Sequence, residues 1–319
     1  MLSRVADSIY WLNRYIERAE NVARFIDVNL KLTLDGPNGL PQQWAPLIET
    51  TGDLDRFTQR YGTVTDANAI QFLAFDRDYP NSIASCLRAA RENARSVREI
   101  ISSEMWEQIN AFYHLVQDAA IANSKNPVDL DRFFTEVKSA SHLFSGIMDA
   151  TMTHGEGWHF GRVGRFLERA DKTSRILDVK YYILLPSPQD VGTTLDQLQW
   201  MALLKSASAY EMYRKRTFHR ITPTGVVEFL VLDRTFPRAI QFCLMEAQRS
   251  LHHITGTPAG TWRNPVERPL GRLLAELSYV AVDEIIDRGL HEFLDGLQGQ
   301  LNEIGRSMDS TFFALRSVA

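Results

Sequence analysis

Two cysteines in 319 residues, Cys86 and Cys243, are too few for a disulfide framework or a thiolate metal cluster. No apolar run approaches the roughly 18 residues that a membrane-crossing helix requires. Neither sign of charge dominates: 35 Lys and Arg face 39 Asp and Glu, and the pI of about 6.1 gives no footprint for nucleic acid. The glycine patterns that cradle phosphates, Gly-x-Gly-x-x-Gly and Gly-x-x-x-x-Gly-Lys-Ser/Thr, are missing, as is the Gly-x-Ser-x-Gly elbow of a serine nucleophile. No cofactor is therefore expected by motif, and ATP would have to come through a partner. The first helix-like stretch already carries Asp7, Glu17 and Glu20, which fits neither a signal peptide nor an acid-poor transit peptide. The expectation is a cytoplasmic protein that uses neither membrane nor nucleic acid.

What the sequence does have is helical periodicity and a repeat. From Ser3 to about Leu34, the residues Val5, Ile9, Leu12, Ile16, Ala19, Ala23, Ile26 and Leu30 alternate steps of four and three. Further helices are predicted over Trp44–Thr50, Ala67–Phe75, Ser103–Ala122, 126–152, Trp158–Leu185, Thr193–Lys215, 222–232, Leu270–Asp287 and Leu290–Phe313. Pro80 and Pro237 are placed as the first residues of helices reaching about Ile101 and Ile254, since a missing N–H costs nothing there. No stretch sustains strand alternation, so the chain reads as all-α.

The stretch Arg14-Tyr-Ile-Glu17-Arg18-Ala19-Glu20-Asn21-Val-Ala-Arg24-Phe-Ile-Asp27-Val28 returns 151 positions on, from Arg165 to Val179. Seven of the fifteen positions are identical, among them Arg14/Arg165, Glu17/Glu168, Arg18/Arg169 and Arg24/Arg175. Gln43-Trp44 answers Gln199-Trp200, and Phe72-Leu73-x-x-Asp76-Arg77-x-x-Pro80 answers Phe229-Leu230-x-x-Asp233-Arg234-x-x-Pro237. Cys86 and Cys243 fall at equivalent points and read as small core residues. Two tandem helical bundles are expected, residues 1–152 and 153–319, related by a pseudo-twofold.

On a helical wheel, Tyr10, Arg14, Glu17, Asn21 and Arg24 lie within about 60° of the pole opposite the apolar stripe. Arg165, Glu168, Lys172 and Arg175 take that face in the second copy. A solvated face has little reason to hold these residues in register across a duplication, so the face is expected against another helix or along a cleft. Three readings stay open: a buried Arg–Glu network that fixes helix register, a ligand cleft in which arginine forks hold a carboxylate or phosphate, and a surface salt-bridge face. Candidate substrate- or anion-binding residues are Tyr10, Arg14, Glu17, Arg18, Asn21, Arg24, His159, Arg165, Glu168, Arg169, Lys172 and Arg175. Asp76, Arg77, Asp233 and Arg234 are supporting candidates, either paired with the motif arginines or forming a cap and turn. His154-Gly-Glu156-Gly-Trp-His159 has one Glu/His pair at i, i+3 where a di-iron bundle needs two, so no metal site is expected. No catalytic residue is assigned.

Tyr10-Trp11-x-x-Arg14-Tyr15-x-Glu17-Arg18-Ala19-Glu20-Asn21 resembles the bacterial Alpha-E proteins, as do Gly157-Trp158-x-Phe160-x-x-x-Gly164-Arg165-x-Leu167-Glu168-Arg169-Ala170 and Trp106-Glu107-x-x-Asn110. His159 departs from the basic residue expected there, which would make an anion site at that position pH-sensitive. The resemblance implies a helical, usually duplicated domain. Such domains are found beside or fused to ATP-grasp-type carboxylate–amine ligases, transglutaminase-like proteins and an amide-cleaving Ntn-hydrolase-like peptidase. It further implies an accessory protein of an ATP-dependent peptide synthesis or modification system, binding a peptide, an amino acid or the ligase. Two other readings stay open: an enzyme of that pathway with the Glu-Arg faces lining its site, and a structural scaffold formed as a homo-oligomer.

Overall fold

The computed structural model describes residues 1–35, 44–124, 128–182, 193–217 and 221–314, and among these every regular element is helical. Two long helices, α1 (Ser3–Asp35) and α8 (Glu156–Tyr182), pack along each other at the centre. Between them in sequence come α2 (Trp44–Glu49), α3 (Leu54–Tyr61), α4 (Asp66–Ile70), α5 (Ile83–Ser96), α6 (Ser103–Asn123) and α7 (Leu130–Thr151). After α8 follow α9 (Thr194–Ser206), α10 (Tyr210–Thr217), α11 (Pro223–Leu232), α12 (Ile240–Thr255), α13 (Glu267–Tyr279), α14 (Val282–Arg288) and α15 (Leu290–Met308). Helices α5 and α7 lie against α1, while α12 and α15 lie against α8. One contiguous core runs from Ala6 to Phe313.

The centre of the molecule follows from the residues of α1. Of its predicted stripe, Ile9, Leu12, Ile16, Ala19, Ala23 and Ile26 are buried and Val5 and Leu30 half-buried, but Tyr10, Glu17, Glu20 and Asn21 on other faces are buried too. A helix covered on nearly all sides is a core helix. Its neighbour α8 supplies small residues where the two come closest. A Cβ on Gly164 would stand 3.1 Å from the carbonyl carbon of Tyr10, and one on Gly161 would stand 2.6 Å from the Asn13 amide nitrogen. In the duplication alignment Gly161 matches Tyr10 and Gly164 matches Asn13. The larger side chains of α1 thus sit where α8 has none.

Several elements differ from the sequence reading. Pro80 and Pro237 do not open helices: α5 starts at Ile83 and α12 at Ile240, and the prolines sit in turns. In the first turn the true cap is Ser82, whose hydroxyl accepts from the Ser85 N–H at 3.1 Å. The shift leaves Asn81 and Arg238 outside the helices, in the turns. The expected single helix Thr193–Lys215 breaks into α9 and α10, with Ser208 between them in the left-handed region at φ 52°. The expected Leu270–Asp287 helix breaks at Val280, which is extended. The helix α3 was not anticipated; its eight residues offer only Leu54, Phe57 and Tyr61 as apolar markers. Of the predicted elements, the start of the helix capped by 126–127 and the end of Trp158–Leu185 lie outside the described residues.

Candidate functional site

The polar faces of α1 and α8 meet each other, and their glutamates exchange partners. Glu168 accepts from Arg18 Nε at 2.6 Å and Nη2 at 3.1 Å, and from Arg14 Nε at 2.7 Å. Glu17 accepts from Arg169 Nε and Nη2, both at 2.8 Å. Each motif Glu is thus held by the motif Arg of the other copy, one residue further along. Glu168 is fully buried and Glu17 is 3% exposed.

Flanking acids extend the two clusters differently. Around Glu17, Arg238 donates from Nη1 to Glu17 at 3.2 Å and to Asn21 at 3.2 Å, and from Nη2 to Glu20 at 2.7 and 2.8 Å. Arg24 also reaches Glu20, and the Asn21 amide donates to Glu17 at 3.1 Å. Around Glu168, Lys172 lies 3.6 Å away and donates to Asp171 at 2.9 Å. Arg175 Nε shares Asp171 at 3.1 and 3.2 Å, and its Nη1 donates to the Thr50 carbonyl at 2.8 Å. Arg18 Nη1 donates to Asn81 at 2.6 Å.

Burial by itself would push these carboxyls towards the neutral acid. Arg18, Arg14 and Lys172 outweigh it at Glu168 and hold its carboxyl well below the usual range. Arg169 and Arg238 likewise keep Glu17 below it, and Arg238, His142 and Arg24 do so at Glu20. A carboxylate so held does not accept a proton at neutral pH, which makes it a poor general base. The arrangement is suited to locking two helices in register and to holding an excess of positive charge beside them.

The remaining candidates are placed as follows. Tyr10 is buried and accepts from Arg14 Nη1 at 3.1 Å. Arg165 does not repeat the role of Arg14: its nearest carboxylate is Asp149 at 3.7 Å, and its Nε has no partner. Burial and the neighbouring Arg169 lower its pKa to about 10. His159 is not brought to Glu168. Its ring stacks on His253 with centroids 4.6 Å apart, and burial with His253 and Arg162 pulls its pKa down to about 4. A ring so placed, stacked on His253 and away from the Glu168 cluster, does not attract an anion to that cluster.

Asp76 and Asp233 also stay apart from the motif arginines. Asp76 accepts from Tyr61 at 3.0 Å and from the Asp78 N–H at 2.9 Å. Asp233 accepts from the N–H groups of Thr235 and Phe236, both at 2.7 Å, and pairs with Arg216. Arg77 turns to Gln117 and Arg234 to Ser278. These residues build turns. The network members that sequence reasoning left out are Glu20, Asp171, Asn81 and Arg238. The first two were visible as a Glu/Asp swap inside the repeated stretch.

A family model described as "a predicted alpha-helical domain with a conserved ER motif" matches residues 1–313, and the Glu-Arg pairs Glu17-Arg18 and Glu168-Arg169 are what the two helices exchange. The chain belongs to the Alpha-E family. Among curated relatives, this Alpha-E chain is similar to an uncharacterized protein of Mycobacterium bovis, 22% identical over 341 residues. Uncharacterized proteins from two strains of Mycobacterium tuberculosis are 22% and 21% identical over the same length. Each alignment covers 98% of the Alpha-E chain but 37% of the relative, so the chain spans little more than a third of their length. No solved structure matches it. Among the described residues no helix is long and apolar enough to cross a membrane, and no three His, Cys, Asp or Glu side chains group as a metal site.

Proposed function

We propose that the chain is an accessory, non-catalytic member of an ATP-dependent amide-forming system, in which it binds a peptide or amino-acid substrate or a carboxylate–amine ligase. In this reading residues 1–152 and 153–319 are two related bundles about a pseudo-twofold, joined through the α1–α8 pair. The observation that carries it is that both motif glutamates are buried and fully engaged by arginines, which leaves neither free to act as a base. The relatives lend support: the stretch that matches this chain makes up 37% of a longer chain there and is joined to further sequence. Transglutaminase-like partners are the second candidates, by the same resemblance.

The test is to assay ATP consumption and amide formation by the purified chain, by a purified ATP-grasp-type carboxylate–amine ligase, and by the mixture. Stimulation only in the mixture supports the accessory role. Amide formation by the chain alone sinks it and returns the reading in which the Glu-Arg faces line an active site.

A further inference from the structure

The two clusters differ in one exchange of residues. Where the Glu17 side has Arg238 in the turn and Asn21 on α1, the Glu168 side has Asn81 in the turn and Lys172 on α8. The positive charge has moved from the turn to the long helix. Arg238 fills its place, reaching Glu17, Glu20 and Asn21 together. Asn81 is shorter and stops at Arg18. Beside it lies a pocket of about 40 Å³, lined on its polar side by Arg18, Thr50, Tyr79, Asn81, Lys172 and Arg175.

The charges there do not cancel. Arg14, Arg18, Lys172 and Arg175 face Glu168 and Asp171, so four cations meet two carboxylates and two positive charges are left over. On the Glu17 side, Arg165, Arg169, Arg238 and Arg24 face Glu17, Glu20 and Asp149, which leaves one. Arg14, Arg18, Lys172 and Arg175 all have side chains no more than 21% exposed, so solvent screens the surplus poorly. Three of the four cations, Arg18, Lys172 and Arg175, line this space of a few water molecules, and the surplus favours a small anion there.

We propose that this pocket is a carboxylate-binding subsite, which takes the carboxylate of a peptide C-terminus or of an N-acylated amino acid. Its size suits a planar carboxylate with a short aliphatic stem. Apart from Thr51, the rest of the lining is apolar, Val22 and Phe25 among it, and accepts the aliphatic part next to the carboxylate. A free amino acid fits less well, because its ammonium would meet Lys172 and Arg175, while Glu168 and Asp171 are already paired. The proposal rests on the accessory reading above, of which it names the substrate class.

Isothermal titration of the purified full chain with N-acetylglycine, N-acetylglycine amide, glycine and inorganic phosphate tests it. N-acetylglycine should bind roughly tenfold or more tightly than its amide, which lacks the charge. The double variant N81R/K172N installs the arrangement already made by Arg238 and Asn21, and should fold while losing N-acetylglycine binding by roughly tenfold. Should it not fold, K172N alone keeps the pocket and must still weaken N-acetylglycine by several-fold. Equal binding of acid and amide, tighter binding of glycine or phosphate than of N-acetylglycine, or binding unchanged in the variants would each overturn the proposal. No ligase enters this titration, so its failure leaves the mixture assay to stand or fall separately.

Discussion

Gly164 lies directly against the backbone of Tyr10, with the carbonyl of Tyr10 occupying the space a Cβ would need. That approach brings α8 close enough to α1 for the glutamates to reach the arginines of the other helix. Gly164→Ala should therefore destabilise the protein by about 1–3 kcal/mol or more, because the clash is with backbone that cannot swing away. Gly161→Ala meets only the ends of the Met148 and Asn13 side chains and should cost less. Urea melts of the two variants check the order; an equal or reversed cost would mean that the α1–α8 spacing is not set at Gly164.

Replacing either motif glutamate with Gln should be severe, on the order of 3–5 kcal/mol, because each leaves buried arginines without their counter-charge. The two variants should differ. Glu17→Gln strands Arg169, while Arg238 keeps Glu20. Glu168→Gln strands both Arg14 and Arg18, which have no second carboxylate partner among the described ion pairs. Glu168→Gln is accordingly expected to be the more damaging in denaturant melts, and a milder loss there would contradict the partner assignment.

Much of this network was legible in the sequence because duplication acts as an internal comparison. The repeat singled out Glu17, Arg18, Glu168 and Arg169, and the helical wheel put the two glutamates on the polar face. It could not say that the face meets its own copy, since the partners stand about 150 residues apart. Arg238 and Asn81 escaped notice for a different reason. They differ between the copies, and their meaning shows only beside the opposite difference at Asn21 and Lys172. The proline positions misled because a missing N–H is tolerated equally in a turn and at a first helical residue. The break at Ser208 carries no glycine or proline to announce it.

The exchange of charge between turn and helix predicts a rescue. Arg238→Asn should destabilise by removing the cation that Glu17 and Glu20 share. Adding Asn21→Lys rebuilds the arrangement found around Glu168 and should recover part of that loss. A double-mutant cycle should give a favourable coupling of roughly 1 kcal/mol or more. Strict additivity would show that the two positions do not compensate.

Both cysteines are fully buried, and burial pushes each thiol up to about 12. Native protein should resist a thiol reagent until it unfolds. The thiols of Cys86 and Cys243 approach the carbonyls of Pro80 and Pro237 at 3.8 and 3.5 Å, so they also pin the two turns. Serine at either site retains a donor but leaves a buried hydroxyl in a sulfur-sized space, costing about 1–3 kcal/mol. Rapid labelling of either native thiol would refute the placement.

Stability should fall with acid in two stages, and His159 governs the upper one. Its folded pKa of about 4 lies below the unfolded value of 6.5. Between those values the unfolded chain binds the proton and the folded chain does not, so protonation favours unfolding. Stability from neutral His159 is thus fully present above 6.5 and is lost as pH falls towards 4. Glu17, Glu20 and Glu168 are depressed carboxylates, and their contribution is intact above the unfolded value of 4.5 and declines below it. His159→Gln removes the upper stage alone. From pH 7 to about 4.5 the wild type should lose more stability than the variant, since only the wild type has a ring there whose charging is opposed by burial, His253, Arg162 and His154. Urea midpoints of the two proteins at several pH values across that interval measure the difference directly. Parallel curves would mean that the stacked His159–His253 pair does not resist protonation.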